Sequence, residues 1–124
     1  MKNNQLAQGD VLLIPLERVE GEMSEVPREP QGCVLAYGEA TGHTHRIEEP
    51  GVRLFEPATT CSFFMEGGEQ VSVDLRGLGV NVLQVEQPAR LLHDEHAPHE
   101  LQPGTYLVIR QRERSLLDWR PVSD

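Results

Sequence analysis

The chain is poor in cysteine, in aromatic residues and in positive charge, and each shortage argues against a class of function. Its 124 residues include two Cys, three Phe, two Tyr and one Trp. Proteins that bind single-stranded nucleic acid stack bases on aromatic side chains, and this chain has few to offer. Lys and Arg number 11 against 20 Asp and Glu, so the formal net charge of −9 repels phosphate backbones and anionic membrane surfaces.

A single segment could form a basic patch. The stretch RQRER places Arg110, Arg112 and Arg114 at alternate positions, so a strand would present all three on one face. Charged side chains in this arrangement are typical of a solvated sheet edge, where they discourage pairing with other chains. We therefore expect an edge strand here and no binding of nucleic acid.

The sequence also lacks long apolar runs. The segment MKNNQLAQGD has no apolar core of the kind a signal peptide needs, and no run approaches the ~20 apolar residues of a membrane span. Cys33 and Cys61 stand in apolar surroundings without a metal-binding or redox spacing. We expect a cytoplasmic protein, a compartment that argues against a disulfide, with both cysteines acting as small buried apolar residues.

What the chain does contain is a series of short apolar runs separated by 11 Gly and 9 Pro. No window sustains a helical period, so the pattern predicts an all-β fold, a small barrel or sandwich of about eight strands. The length fits one domain over residues 1–124. In VRLF, Val52 and Leu54 share the face predicted to be buried. Residues 20–32 are acidic, carry two prolines and lack periodicity, which predicts a mobile loop.

The histidines are the most informative residues. Four of the five form two tight clusters, His43 with His45 in GHTHRIEE and His93 with His96 in LLHDEHAPHE, and the fifth, His99, follows three residues after His96. Side chains alternate along a strand, so His43, His45 and Glu49 would point the same way. His93 would point to the same face as every second residue of the strand before it, and a turn could bring the His96 side chain back to the same point.

Neutral imidazole is a good ligand for zinc, iron, nickel and copper, so the two clusters together predict one divalent transition metal, most suitably zinc or iron. The predicted ligands are His43, His45, His93 and His96, with Glu49 as an alternate ligand. Four protein ligands would make the site structural, whereas three ligands and a water would make it catalytic. In the catalytic case Glu95 is the best candidate general base, because it adjoins the site in sequence.

Two other interpretations remain open at this stage. The histidines could lie at polar strand ends and pair with Asp94, Glu95 and Glu100, or they could support metal-free catalysis with a glutamate. Serine-based catalysis is not indicated, because no serine stands in a G-x-S-x-G context. The phosphate-binding patterns G-x-x-x-x-G-K-[ST] and G-x-G-x-x-G are also missing.

The segments QGDVLLIPL, LAYGEATGHTHRI and LLHDEHAPHELQPGTYLVIRQRE resemble a small family of uncharacterised bacterial and phage-borne proteins. Its members share G-E-x-T-G-H-x-H and a later H-x-E-H-A-P, followed by P-G-x-Y and Q-R-E. The resemblance spans most of the chain and implies no particular activity. It places five residues inside the family signature: His43, His45, His93, Glu95 and His96. His99 stands where the resemblance implies an apolar residue.

Two broader resemblances imply different functions. HTHRIEE is similar to the first cupin motif, H-x-H-x3-E, which would make His43, His45 and Glu49 ligands of Fe, Mn or Zn inside a small barrel. The second cupin motif places a His after P-x-G, and QPGTYLV has none. DVLLIPLERVEG followed by GCVLAYGEATG resembles the opening of a GroES-type co-chaperonin. That resemblance implies an alternative function: a metal-free, homo-oligomeric interaction module, phage or mobile-element associated, with a partner-binding loop at 20–32.

Overall fold

The computed structural model describes residues 5–38, 42–72, 80–110 and 120–121, and these residues form strands and turns without a helix. The predicted all-β fold is confirmed. The strands are β1 (Leu6–Gln8), β2 (Val11–Leu16), β3 (Arg18–Glu20), β4 (Met23–Val26), β5 (Cys33–Tyr37), β6 (Thr44–Ile47), β7 (Val52–Pro57), β8 (Ser62–Phe64), β9 (Gln70–Ser72), β10 (Val80–Val85), β11 (Ala89–Leu91), β12 (His99–Leu101), β13 (Gly104–Arg110) and β14 (Arg120–Pro121). Within this part of the chain, no helix has the length and apolarity that crossing a membrane would need.

The largest sheet has six antiparallel strands in the order β1-β2-β13-β10-β7-β4. The central strand β2 carries an unbroken apolar run, VLLIPL, and β10, VNVLQV, is interrupted only by Asn81 and Gln84. Successive side chains of a strand point to opposite faces, so an unbroken run requires cover on both faces. Accordingly Leu13 and its neighbour Ile14 are both fully buried, although they point in opposite directions.

Two layers provide that cover. One consists of the hairpins β5-β6 and β11-β12, and the other is a four-stranded sheet in the order β14-β9-β8-β3. Each layer closes a separate apolar core against the central sheet. The first core includes Val11, Leu13, Leu35, Ile47, Leu83, Leu91, Leu101 and Val108, and the second includes Leu12, Ile14, Phe63, Val71, Val82, Leu107 and Ile109. The described strands form layers rather than a closed barrel. They are short, and there are more of them than the eight or so that the sequence predicts.

Part of the segment predicted as a loop is a strand. Within residues 20–32, β4 pairs with β7 at the edge of the six-stranded sheet, for example Glu25 with Phe55. The acidic side chain of Glu25 also pairs with Arg53 across the two strands, at 3.1 Å. An edge strand needs apolar residues on one face at most, which is why its sequence lacks the pattern of a buried strand.

Arg110 does not lie on a sheet edge, contrary to the expectation for RQRER. It ends β13, which lies between β2 and β10, and its Nε donates to the Leu35 carbonyl at 2.8 Å. Its Nη2 also donates to the side-chain oxygen of Asn81. Arg112 and Arg114 lie outside the described residues. Val52 and Leu54 are buried, as expected. Both cysteines are free; Cys33 is buried, but Cys61 is only partly buried, contrary to the expectation for it.

Burial of both faces of the central sheet can be tested in β2. Leu13→Ala and Ile14→Ala should each lower the free energy of unfolding by about 2–5 kcal/mol, because each leaves a cavity in a different core. Urea denaturation gives both values. Glu56→Ala, at an exposed position of β7, should stay within about 0.5 kcal/mol of the wild type. A small effect at either core position would show that the corresponding face is not covered.

Candidate functional site

A backbone bridge between β6 and the end of β11 brings the two predicted histidine clusters together. Arg46 and Leu92 pair in antiparallel fashion, with N–H···O distances of 2.9 and 2.8 Å. The residues on either side of such a pair are also neighbours across the strands. His45 therefore lies beside His93, and their ring centroids are 4.3 Å apart.

The other two predicted ligands join this pair. The ring of His96 is 4.6 Å from that of His93 and 6.1 Å from that of His45, and His43 meets His93 edge-on at 5.7 Å. We call these four side chains the histidine cluster. The structure thus brings together imidazoles that are about 50 residues apart in the sequence.

The turn between β1 and β2 forms one wall of the histidine cluster. Gln8 pairs with Val11, so Gly9 and Asp10 make a two-residue hairpin turn, and Gly9 has the positive φ of 58° that such turns favour. Gly9 also lets the rings approach the backbone, because a Cβ there would lie 2.7 Å from His96 Nε2.

Asp10 is a residue that sequence reasoning missed. Its Oδ1 lies 3.2 Å from His45 Nε2, and its side chain is about half exposed. The segment QGDVLLIPL resembles a segment of an uncharacterised family, but nothing in it indicates that its polar turn will lie beside histidines more than 30 residues away. Only the pairing of strands reveals this contact.

Gln8 was missed for the same reason. It is 2% exposed, and its Oε1 lies 2.8 Å from His45 Nδ1. Its Nε2 donates to the carbonyls of Leu91 and Ala97, each at 2.9 Å. One buried amide therefore contacts β6 and both ends of the loop that carries His93 and His96.

His93 has a different environment from His45. Its Nδ1 accepts hydrogen bonds from the backbone N–H groups of Glu95 and His96, at 2.9 and 3.2 Å. In the neutral ring the proton must then sit on Nε2. These bonds hold the turn after β11 in place, a structural role for His93 beyond any role as a ligand.

Burial keeps the central imidazoles neutral. It lowers the pKa of His45, and the nearby His93 lowers it further, while the Asp10 carboxylate partly opposes both effects. Burial likewise lowers the pKa of His93, with His96 adding to the effect. At pH 7 both rings are therefore in the neutral form, which is the form that binds metals.

The two predicted glutamates lie in different places. Glu95 Oε2 is 3.7 Å from His43 Nδ1, at the exposed side of the histidine cluster. Glu49 contacts Arg90 instead: its carboxylate accepts from the Arg90 backbone N–H at 3.3 Å and lies 3.5 Å from the guanidinium Nε. His99 lies in β12 opposite Leu91.

As the side chains are placed, no group of three or more His, Cys, Asp or Glu in the described ranges has a geometry that could hold a metal ion. The rings contact one another at distances set by packing. Any metal bound here would require some of these side chains to rotate.

Residues 7–111 match a family described as a domain of unknown function, DUF8820. The chain belongs to this family. The matched span contains the whole histidine cluster together with Gln8 and Asp10, and it agrees with the expected membership of an uncharacterised family. No curated protein and no solved structure matches the chain, and the resemblances to cupins and to GroES-type co-chaperonins stay predictions.

The lowered pKa values of His45 and His93 predict a pH-dependent stability. Near pH 6 the unfolded chain, with histidine pKa values near 6.5, binds more protons than the folded protein, so acid favours unfolding. In the presence of a chelator, the free energy of unfolding should be greatest above about pH 6.5 and should fall as the pH drops below it. Urea denaturation at pH 7.5 and 5.5 measures the difference.

His45→Gln should reduce this difference, because it removes one of the responsible groups. The matched control is His99→Gln, which removes a histidine outside the cluster and should leave the difference largely unchanged. Equal pH dependence in wild type and His45→Gln would contradict the assignment to His45.

Proposed function

We propose that this protein binds one divalent transition metal ion, zinc or iron, at the histidine cluster. The observation that carries the proposal is the meeting of three separate chain segments at one point. Imidazoles from β6 and from the β11-β12 loop meet there, and the carboxylate of Asp10 joins them, with Oδ1 3.2 Å from His45 Nε2. Neutral imidazoles beside a carboxylate are the donor set that these metals prefer.

The contacts favour three donors: His45 and His96 from the histidine cluster, and Asp10 from the adjoining turn. His45 Nε2 already faces Asp10, and His96 Nε2 lies against the same turn, beside Gly9. His43, next to His93 at the outer side, is the fourth candidate. His93 could bind through Nε2 only if its Nδ1 gave up the two backbone hydrogen bonds it accepts, so we assign it a supporting role.

The side-chain rotations that metal binding requires cost little free energy. Asp10 is about half exposed and His96 is exposed on its loop, so both can turn without opening the core. Fixing a side chain costs up to about 2 kcal/mol. Binding of a structural zinc ion contributes about 10–16 kcal/mol in small peptides, so metal affinity exceeds the cost of ordering two or three side chains.

The exposure of these donors also bears on the role of the metal. Structural zinc sites are closed by four protein ligands, whereas catalytic sites keep a position for water. Two of the three donors, Asp10 and His96, are exposed, so a site formed by these three donors leaves such a position on its outer side. Glu95, on the exposed side near His43, is the candidate general base for a metal-bound water.

Metal content tests the proposal directly. Untagged protein is loaded with Zn²⁺ at pH 7.5, dialysed, and measured by elemental analysis. We expect about one equivalent in the wild type and a large loss in His45→Ala and Asp10→Asn, because each removes a donor. His99→Ala, the matched control, should keep the full equivalent.

Two results would contradict this proposal. The first is a wild type that takes up neither zinc nor iron(II) at neutral pH. The second is an equal loss of metal in His99→Ala, which would indicate nonspecific binding to histidines. In either case an interaction module would be the better interpretation, and sizing experiments in the presence of a chelator would then test for a homo-oligomer.

Glu95→Gln should leave the metal content unchanged, since we assign Glu95 the role of a base rather than that of a donor. The same elemental analysis measures it. Loss of metal in this variant would move Glu95 into the ligand set and remove the argument for a metal-bound water activated by this residue.

A further inference from the structure

The side chain of Gln8 is almost completely buried, yet it belongs to β1, a short strand at the edge of the six-stranded sheet. Its three hydrogen-bond partners are 37, 83 and 89 residues away in sequence: His45, Leu91 and Ala97. A buried amide is costly unless its hydrogen bonds are made, and here both donors and the acceptor have partners. Such a group acts as a link between elements rather than as part of the apolar core.

These partners determine how the amide is oriented. The carbonyl oxygens of Leu91 and Ala97 can only accept hydrogen bonds, so the amide nitrogen of Gln8 must face them. The amide oxygen must then face His45 Nδ1, at 2.8 Å. Because that oxygen only accepts, Nδ1 must carry the proton.

The tautomer of His45 follows from this orientation. A neutral imidazole carries one proton, so with Nδ1 protonated the other nitrogen, Nε2, presents a bare lone pair. That lone pair faces Asp10 Oδ1 at 3.2 Å, and two acceptors at this distance repel each other unless a proton or a metal cation lies between them. A simple hydrogen bond from neutral His45 to Asp10 would need the opposite tautomer.

We infer that Gln8 is a positioning residue that holds His45 in the Nδ1-protonated tautomer and so directs the Nε2 lone pair, together with Asp10, toward a bound cation. This inference deepens the proposed function and rests on it for the identity of the cation as a divalent metal. Partners of this kind orient the histidine ligands of metal sites and set which nitrogen binds.

The same amide also positions the second half of the histidine cluster. Leu91 and Ala97 flank the loop that carries His93 and His96, and both carbonyls are held by the one nitrogen of Gln8. Gln8 thus fixes the loop against β1 while it fixes the tautomer of His45. The Gly9–Asp10 turn follows Gln8 directly in the sequence. Gln8 is therefore connected to all three proposed donors: by hydrogen bonds to His45 and to the loop of His96, and through the chain to Asp10.

The first experiment needs no substitution. Wild-type protein with ¹⁵N-labelled histidine, freed of metal and held at pH 7.5, is studied by long-range ¹H–¹⁵N correlation, which distinguishes a protonated from a bare ring nitrogen. We expect His45 to carry its proton on Nδ1. A proton on Nε2 would overturn the inference.

The second experiment compares variants by the same spectra and by affinity for Zn²⁺, measured in competition with a chelator. Gln8→Met keeps the length of the side chain but removes the acceptor, and zinc affinity should fall by about 10–100-fold as the tautomer is released. Gln8→Glu keeps an acceptor at His45 Nδ1, so the tautomer should persist, but it loses both hydrogen bonds to the carbonyls of Leu91 and Ala97 and should lower the stability of the fold. Gln84→Met makes the same chemical change in β10 and should have no effect on either measurement.

The outcomes separate this inference from the proposed function. If His45 is Nδ1-protonated but no metal binds, the role of Gln8 in setting the tautomer stands and the metal site fails. If metal binds but Gln8→Met retains wild-type affinity, the metal site stands and Gln8 is not its positioning residue. If Gln8→Met does not fold, the tautomer measured in the wild type still decides the question.

Discussion

The architecture depends on one constraint: the central strands of the six-stranded sheet are apolar on both faces. Such a sheet is stable only when a further layer covers each face, because exposed apolar area of this size would be unfavourable. The four-stranded sheet covers one face and the hairpins β5-β6 and β11-β12 cover the other. The histidine cluster lies where these hairpins meet, so its position follows from the need to bury Ile47 and Leu91 against the central sheet.

The sequence was sufficient to predict the all-β class, the two histidine segments and the apolar alternation of β7. These features are local, since strand periodicity and residue type act over a few positions. The pairing of Arg46 with Leu92 is not local, and it decides which imidazoles meet. The roles of Asp10 and Gln8 could not be predicted for this reason, because the sequence of a Gln-Gly-Asp turn does not indicate whether the turn faces solvent or a histidine ring.

The expectations that differed from the structure share a cause as well. Strand β4 lacks apolar alternation because it pairs at the edge of the sheet, so its acidic sequence indicated a loop. The alternating arginines that begin at Arg110 predicted a solvated edge. Arg110 instead ends a central strand, and the Leu35 carbonyl and the Asn81 side chain accept its hydrogen bonds. In both cases the surroundings of the strand determined which sequence it could tolerate, and those surroundings are built from distant parts of the chain.

Burial favours the neutral, metal-binding form of His45, and the polar partners of His45 determine which ring nitrogen carries the proton. An apolar environment alone would keep His45 neutral without choosing between its two nitrogens. A buried amide has little net stabilising effect to offer, since its hydrogen bonds replace those it makes with water. The contribution of Gln8 is therefore specificity: its two donors are satisfied only by backbone carbonyls, which leaves a single orientation for its oxygen. The tautomer of His45, and with it the direction of the lone pair toward Asp10, is consequently determined by the backbone of the loop that also carries His96.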